Sequence, residues 1–181
     1  MAELVVLLRA VNVGGRKMPM AELRDLCGEL GYEEPQTYIQ SGNLLIRTDT
    51  AADDVAAQLG RAIASRFGFE SPVIVRAAER WQGYLDDNPF AGDAGVEDRM
   101  LHLVLAQKAP PPSAVETLEA LAQAGERVRI AGDALWIDYG QGVARSKLTP
   151  KAIDKAVGAP ATARNLRSVR KLAGMIEERM G

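Results

Sequence analysis

The sequence predicts an α+β protein built from two successive units of strands and helices. Three observations favour this fold class: short apolar runs alternate with amphipathic helical patterns, glycine or proline marks most junctions, and the order of elements nearly repeats. The chain has 181 residues, enough for one large or two small domains. It is 47% hydrophobic and 25% charged, the composition of an ordinary soluble globular protein.

The first 77 residues show the order strand, helix, strand, strand, helix, strand. The predicted strands are short apolar or alternating runs at 3–11, 36–40, 43–48 and 71–77. The predicted helices, at 19–31 and 50–68, each end at a glycine, and Thr50 is the expected cap of the second, with Asp53 three residues on. This βαββαβ order matches the ferredoxin-like split βαβ unit.

A bridging helix and loop, residues 78–98, leads to a second pattern over 99–181. Its predicted elements are a strand at 99–106, a helix at 113–125 with Ser113 and Glu116 as a capping box, a hairpin at 127–140 and a helix at 149–158 capped by Thr149. A final helix from about Arg164 to Met180 takes the place of the last strand. The sequence therefore predicts two tandem ferredoxin-like units, 1–77 and 99–181, the second ending in helices instead of its last strand.

Cys27 and His102 are the only cysteine and the only histidine. A lone cysteine excludes an intrachain disulfide, and one histidine excludes multi-histidine metal sites. Cys27 lies on the apolar side of a helix and is interpreted as a small hydrophobe, and His102 lies in the apolar run "MLHLVLA" and is interpreted as a packed residue with one hydrogen bond. We predict no catalytic residue, no metal and no cofactor from the sequence.

The charge is unevenly distributed although the net charge is only −2. From Arg145 to the end there are nine Lys or Arg against three Asp or Glu, a balance of +6, so the rest of the chain carries −8. Such asymmetry hints at an anionic partner. The N-terminus carries Glu3 where a signal peptide would be basic, and no run reaches transmembrane length, so we expect a cytoplasmic protein without a membrane partner.

Two short stretches are expected to meet at one end of the first sheet. In the split βαβ unit the first and third strands are antiparallel neighbours, so the exit of the first lies beside the entrance of the third. This places "NVGGRK" beside "QSGN". The candidate ligand-binding residues here are Asn12, Gly14, Gly15, Lys17, Ser41, Gly42 and Asn43.

These residue types support two interpretations that the sequence leaves open. Bare glycine backbone, Ser and Asn side chains and the start of the following helix offer several hydrogen-bond donors to an anion. Pairs of glycines and Ser-Gly-Asn sequences are equally typical of tight turns that bind no ligand. "VGG" is neither a G-x-G-x-x-G nor a G-x-x-x-x-G-K-[ST] motif.

Two arginines and an asparagine, Arg9, Arg164 and Asn165, are further candidate ligand-binding residues. Arg9 shares the predicted strand face of Val5, Leu7 and Val11, where a charge needs a partner. Arg164 and Asn165 precede the basic C-terminal helix, where a phosphate could be gripped, and Asn165 and Thr162 are alternative helix caps. A shared basic surface would require Arg164 to lie near Arg167 and Arg170, open to solvent.

Four stretches resemble the bacterial domain of unknown function 1697 family. They are "LLRAVNVGG" followed by "MAELR", "TYIQSGNLL", "NPF" and "TARNLRSVRKL", in the order of the family and over nearly the whole chain. The family usually has glycine where Ala10 stands and an aromatic residue where Leu166 stands. The resemblance implies tandem ferredoxin-like units and brings no established activity.

Three functions are consistent with these observations. The first is a binding module for a phosphate-bearing or other anionic ligand, nucleotide-like or nucleic acid, at loops 12–17 and 41–43. The second is an enzyme of unassigned reaction using the same pocket, and the third is a structural or protein-interaction domain without a ligand. Nucleic acid ranks below a small ligand, because the chain has no RNA-recognition signature and few aromatic residues. The sequence assigns no oligomeric state.

Overall fold

The computed structural model describes residues 1–181, which divide into two compact units, Met1–Gln82 and Gly83–Gly181. The fold is mixed α+β, with two four-stranded antiparallel sheets and six α-helices. Each sheet belongs to one unit, and a short 3-10 turn, Ala78–Arg80, leads into helix α3, Trp81–Asp86, across the boundary.

The first unit has the element order predicted from the sequence. Its strands are β1 (Ala2–Leu8), β2 (Glu33–Tyr38), β3 (Asn43–Thr48) and β4 (Val73–Ala77), and its helices are α1 (Met20–Glu29) and α2 (Ala52–Phe67). The sheet order is β2-β3-β1-β4, with every neighbouring pair antiparallel. Strand β1 is therefore central, and its C-terminal end lies beside the start of β3.

The core of the first unit lies between the sheet and its two helices. Alternate residues of β1, Leu4, Val6 and Leu8, share one buried cluster with the apolar sides of α1 and α2. The intervening residues Val5 and Leu7 are also buried. The central strand β1 is therefore buried on both of its faces.

The sequence predicted the C-terminal end of α2 correctly but not the cap at its N-terminal end. Gly68 ends α2 with φ of +77°, as its position after the last apolar residue predicts. The expected Thr50 cap is wrong: Ala51 is the N-cap residue, and the Thr50 amide instead donates to Oγ1 of Thr48. The Thr48 hydroxyl already closes this turn, so α2 begins without a side-chain cap.

The second unit repeats the connectivity of the first. Its strands are β5 (Leu101–Ala106), β6 (Arg127–Ala131), β7 (Ala134–Asp138) and β8 (Ala161–Asn165), and its helices are α4 (Ser113–Glu119), α5 (Pro150–Val157) and α6 (Leu166–Met180). The sheet order is β6-β7-β5-β8, again antiparallel throughout. The β6–β7 hairpin turns at Gly132-Asp133, as predicted.

Strand β8 corrects the prediction that the second unit lacks its last strand. Residues 161–165, "ATARN", pair antiparallel with β5 over their whole length, from Ala106–Ala161 to His102–Asn165. The segment has only one β-branched residue and precedes a strong helical pattern, so its local propensity did not indicate a strand. This segment forms a strand because it pairs with β5, which is distant in the sequence.

The helix caps of the second unit agree with the sequence in two of three cases. Thr149 accepts a hydrogen bond from the Ala152 amide, and Asn165 accepts one from Ser168, so Asn165 and not Thr162 caps α6. The capping box at Ser113 is wrong, because α4 begins after Pro112 without a side-chain cap and ends at Glu119, well before residue 125. Leu166, Val169, Leu172 and Ile176 of α6 are buried, whereas Met180 at its end is exposed. The helix lies against β5 and β8.

None of the six helices has both the length and the apolar character that a membrane span requires.

Replacing Leu26 with alanine should lower the free energy of unfolding by about 2–5 kcal/mol, the range for a fully buried leucine. The side chain of Leu26 is 4% exposed and belongs to the first core. Urea denaturation followed by circular dichroism measures the loss. The neighbouring Asp25→Ala, on the exposed side of α1, is the matched control and should change stability by less than about 0.5 kcal/mol. Equal effects of the two substitutions would contradict the core placement.

Candidate functional site

The two predicted loops meet at one end of the first sheet, as expected from the sequence. The amide of Leu8 donates to the carbonyl oxygen of Gly42 at 2.9 Å. The side-chain Nδ2 of Asn12 donates to the carbonyl oxygen of Gln40 at 2.6 Å. The hairpin loop 39–42 therefore lies directly against loop 9–18, which joins β1 to α1.

Asn12 holds its own loop closed. Its Nδ2 also donates to the carbonyl oxygen of Met18 at 3.0 Å, and its Oδ1 accepts from the Met18 amide at 2.9 Å. Asn12 has φ of +55°, a left-handed conformation that asparagine tolerates better than most residues. The side chain is thus engaged with backbone on both loops, and its amide is not available to a ligand.

The glycine pair forms the tip of a tight turn. The Arg16 amide donates to the carbonyl oxygen of Val13 at 3.1 Å, and the Asn12 amide donates to that of Arg16 at 2.7 Å. Gly14 and Gly15 have φ of +57° and +82°. Two central residues with positive φ are typical of a type I′ turn, which requires glycine or asparagine. The turn alone therefore accounts for both glycines.

Gly42 and Asn43 are also required by the fold. A Cβ at Gly42 would lie 2.7 Å from Leu8 Cβ and 2.9 Å from Val11 Cγ2, and φ is +85°. Asn43 is fully buried, and its Nδ2 donates to the Tyr38 carbonyl oxygen at 3.1 Å and to Ser41 Oγ at 3.0 Å. Only Ser41 among these three is exposed.

The tip of loop 9–18 nevertheless presents side chains and backbone amides that have no hydrogen-bonding partner in the protein. Gly14, Gly15, Arg16 and Lys17 are all exposed. The side chains of Arg16 and Lys17 form no ion pair or hydrogen bond, and the amides of Gly14 and Gly15 have no acceptor. Helix α1 begins shortly after, behind Pro19, with no side-chain cap on its first amides. Such a set of donors can bind an anion.

Arg9 lies just beyond β1 and not on it. Its amide donates to Ser71 Oγ at 3.1 Å, and Ser71 Oγ donates back to the Arg9 carbonyl oxygen at 2.7 Å. Ala10, with φ of +57°, reverses the alternation, so Val11 joins the core on the side of Leu8. The expectation that Arg9 and Val11 share a face is therefore wrong.

Arg164 and Asn165 belong to the second unit and serve its structure. Arg164 lies on β8 and is buried, with Nη1 donating to Thr162 Oγ1 at 2.7 Å and to the Ala163 carbonyl oxygen at 2.9 Å. Burial lowers the pKa of its guanidinium to about 10. Asn165 caps α6. A basic surface shared by Arg164, Arg167 and Arg170 is excluded, because Arg164 is not exposed and Arg170 pairs with Asp98.

A cluster of paired charges, which the sequence pattern did not indicate, surrounds Phe90. The guanidinium of Arg127 bridges Asp93 and Asp138, both at 2.9 Å, and Arg129 lies 3.1 Å from Asp93. Both guanidinium groups stack on the Phe90 ring, at 5.1 and 4.2 Å from its centroid. Hydrogen bonding from Arg129, more than its charge, lowers the pKa of the Asp93 carboxyl.

This cluster is structural because all of its charges are paired. The Arg129 guanidinium also donates to the Pro89 carbonyl oxygen at 2.8 Å, so the "NPF" loop is fastened to β6. Trp81, Tyr84 and Phe90 are all buried. The alternation of Arg127 and Arg129 on an edge strand, opposite an acidic loop, was the signal that could have revealed the cluster.

The buried titratable groups also have packing roles. His102 Nδ1 lies 3.1 Å from the Met100 carbonyl oxygen, and its ring meets Tyr139 edge-on, with centroids 4.9 Å apart. The Tyr139 hydroxyl donates to the Leu148 carbonyl oxygen at 3.0 Å, and burial raises its pKa to about 12. Burial likewise raises the pKa of the Cys27 thiol to about 12. No group of three or more His, Cys, Asp or Glu side chains is arranged to hold a metal ion.

These features define the class of the protein as a two-sheet α+β protein with an exposed basic loop tip. The chain belongs to the family described as Protein of unknown function (DUF1697), whose sequence profile matches residues 1–136. This confirms the resemblance found in the sequence.

Solved structures extend the likeness to the whole chain. The structure titled as that of conserved bacterial protein SP0830 from Streptococcus pneumoniae matches with a TM-score of 0.71 and 20% sequence identity. The match covers 97% of this chain and 98% of the other. At this identity the likeness shows the fold alone. No curated protein matches the chain.

Gly42→Ala should destabilise the protein by about 2–5 kcal/mol, because the new Cβ overlaps Leu8 and Val11 and the left-handed backbone is strained. Gly15→Ala is the matched control, since its φ is similar, +82°, but nothing lies within 4 Å of the new Cβ. It should cost only the backbone strain, about 1–2 kcal/mol. Urea denaturation of both variants gives the difference, and equal losses would show that the close approach at Gly42 is unimportant.

His102 should titrate below its usual pKa of 6.5, because burial disfavours the charged imidazole more than the Met100 carbonyl favours it. A lowered folded-state pKa means that stability is full above pH 6.5 and is lost as the pH falls through the folded pKa. As the only histidine, its ring resonances can be followed by NMR from pH 8 to 5. Unfolding by urea at pH 7.5 and 5.5 should show the loss, and His102→Gln should reduce it. A midpoint at or above 6.5 would contradict the packed, neutral assignment.

Proposed function

We propose that this protein is a binding module for a phosphate-bearing or other anionic ligand, held at the exposed tip formed by residues 13–17. The observation that carries the proposal is the pair of unpartnered cations, Arg16 and Lys17, beside the free amides of Gly14 and Gly15. Cations and backbone amides concentrated within four residues suit a compact anion with several oxygens.

The rest of the two loops positions this tip. Asn12 ties loop 9–18 to both Met18 and Gln40, and Gly42 allows the hairpin to approach β1 closely. A site built on such a closed loop loses little conformational freedom when a ligand binds, which favours affinity. Of the residues predicted to bind the ligand, Gly14, Gly15 and Lys17 therefore keep that role, Ser41 lies at the edge, and Asn12, Gly42 and Asn43 are the frame.

The scaffold that presents the loop is, we infer, a pair of ferredoxin-like units. The order β2-β3-β1-β4 with βαββαβ connectivity supports this assignment, and the second unit has the same order in β6-β7-β5-β8. The expected cytoplasmic location and the ranking of nucleic acid below a small ligand stay predictions.

Titration with inorganic pyrophosphate, followed by amide NMR and calorimetry, tests the proposed site. The amide resonances of Gly14 and Gly15 should shift during the titration. Removing both charges with Arg16→Gln and Lys17→Gln should weaken binding by at least about tenfold, since charge-assisted hydrogen bonds contribute about 1.5–3 kcal/mol each. Both side chains are exposed and unpaired, so the fold should be unaffected.

The matched control removes two equally exposed lysines of α5, with Lys151→Gln and Lys155→Gln. It changes the net charge by the same amount and should leave the affinity within about twofold, because neither lysine belongs to the tip 13–17 and net charge alone acts only through screened electrostatics. Equal losses of pyrophosphate affinity in both double variants would show that the effect depends on net charge alone. Absence of any shift at Gly14 and Gly15 would leave the loops a purely structural role.

A further inference from the structure

Two exposed apolar side chains flank the cationic tip and are not explained by folding. Val13 is 56% exposed and Ile39 is 50% exposed. Val13 precedes the glycine turn, and Ile39 opens the neighbouring hairpin loop. The hydrogen bond from Asn12 Nδ2 to the Gln40 carbonyl oxygen joins the residue next to each of them, so the two apolar side chains belong to adjacent loop tips.

Ile39 is also held in an unfavourable backbone conformation. Its φ is +50°, and a β-branched residue is a marked outlier in the left-handed region. Half of its side chain remains in water, so core burial does not offset this strain. Strained residues of this kind concentrate at ligand clamps and active sites. An asparagine or glycine would suit the turn better, so the isoleucine side chain itself needs an explanation.

We propose that Val13 and Ile39 form an apolar subsite for the base of a nucleotide whose phosphate lies at the tip 13–17. This inference rests on the proposed function and names its ligand class. The site combines a small apolar surface with cations and free amides, and a nucleotide combines a flat, weakly polar ring with a multivalent anion. Inorganic phosphate or a simple sugar phosphate would leave both aliphatic side chains in water.

The size of the patch favours a small ligand over a protein partner. Stable protein interfaces use about 20–30 residues on each side, whereas this patch comprises two apolar side chains and the basic tip. A free nucleotide and the phosphorylated end of a nucleic-acid strand share the same chemistry, and the titrations below distinguish them.

Calorimetric titrations of the full chain with inorganic phosphate, pyrophosphate, adenosine, AMP, GMP and UMP test the subsite. At least one nucleoside monophosphate should bind about tenfold more tightly than inorganic phosphate at the same pH and salt, since burying apolar surface adds affinity. Titration with a 5′-phosphorylated trinucleotide distinguishes a free nucleotide from the end of a nucleic-acid strand. Tighter binding of the trinucleotide than of the mononucleotide would indicate a strand end as the ligand. Equal or weaker binding would indicate the free nucleotide.

Ile39→Gly is the decisive variant, because it removes the side chain and also relieves the backbone strain. It should lower the affinity for the nucleotide at least about fivefold, leave pyrophosphate binding unchanged, and leave the urea midpoint equal or higher. Ile39→Asn, which also tolerates positive φ, provides a second variant with a polar side chain. Val143→Ser, at a valine that is 45% exposed in another loop, is the control and should change neither affinity.

The outcomes separate the two proposals. Pyrophosphate binding with no preference for nucleotides overturns the base subsite and leaves the anion site standing. Nucleotide affinity that is unaffected by both Ile39 variants also overturns the subsite. Failure of every anion to bind overturns both proposals.

Discussion

The close approach of Gly42 to the end of β1 is the constraint on which the arrangement of the two loops depends. The Gly42 carbonyl oxygen accepts the Leu8 amide, and there is no room for even a methyl group between this backbone and the side chains of Leu8 and Val11. This contact fixes where the β2–β3 hairpin loop lies relative to the chain that leaves β1. The hydrogen bonds of Asn12 to Gln40 and Met18 then close the remaining gap. The exposed tip is thus carried on a frame of satisfied polar groups.

The loop residues divide into those that fold the protein and those that do not. Asn12 and Asn43 form hydrogen bonds within the protein, and Gly42 packs closely against neighbouring side chains. Arg16 and Lys17 have no partner at all. The Asn, Gly and Ser residues of the two loops therefore lie together, as the sequence predicted, but most of their polar groups stabilise the turns.

The sequence predicted the parts of the fold that are encoded locally. Apolar periodicity located the helices, and Gly68 and Gly158 marked helix ends because only glycine adopts φ near +80° without strain. Strand β8 was missed because its pairing with β5, more than fifty residues away, creates it. The left-handed backbone conformation of Ala10 could not be predicted from the sequence alone. Its φ of +57° explains why the strand face of Arg9 was wrongly extended to Val11.

Comparison of the two units shows that the basic tip is not a requirement of the fold. In both units the residue after the first strand donates its amide to the proline before the last strand, from Arg9 to Pro72 and from Gln107 to Pro160. The second unit then reaches its helix through residues 107–112, "QKAPPP", whereas the first uses residues 9–19. The hairpin loops differ in the same way, 39–42 against 132–133. The same connectivity therefore folds with short loops that lack the paired glycines, so the exposed Ile39, Arg16 and Lys17 are features that this connectivity does not require.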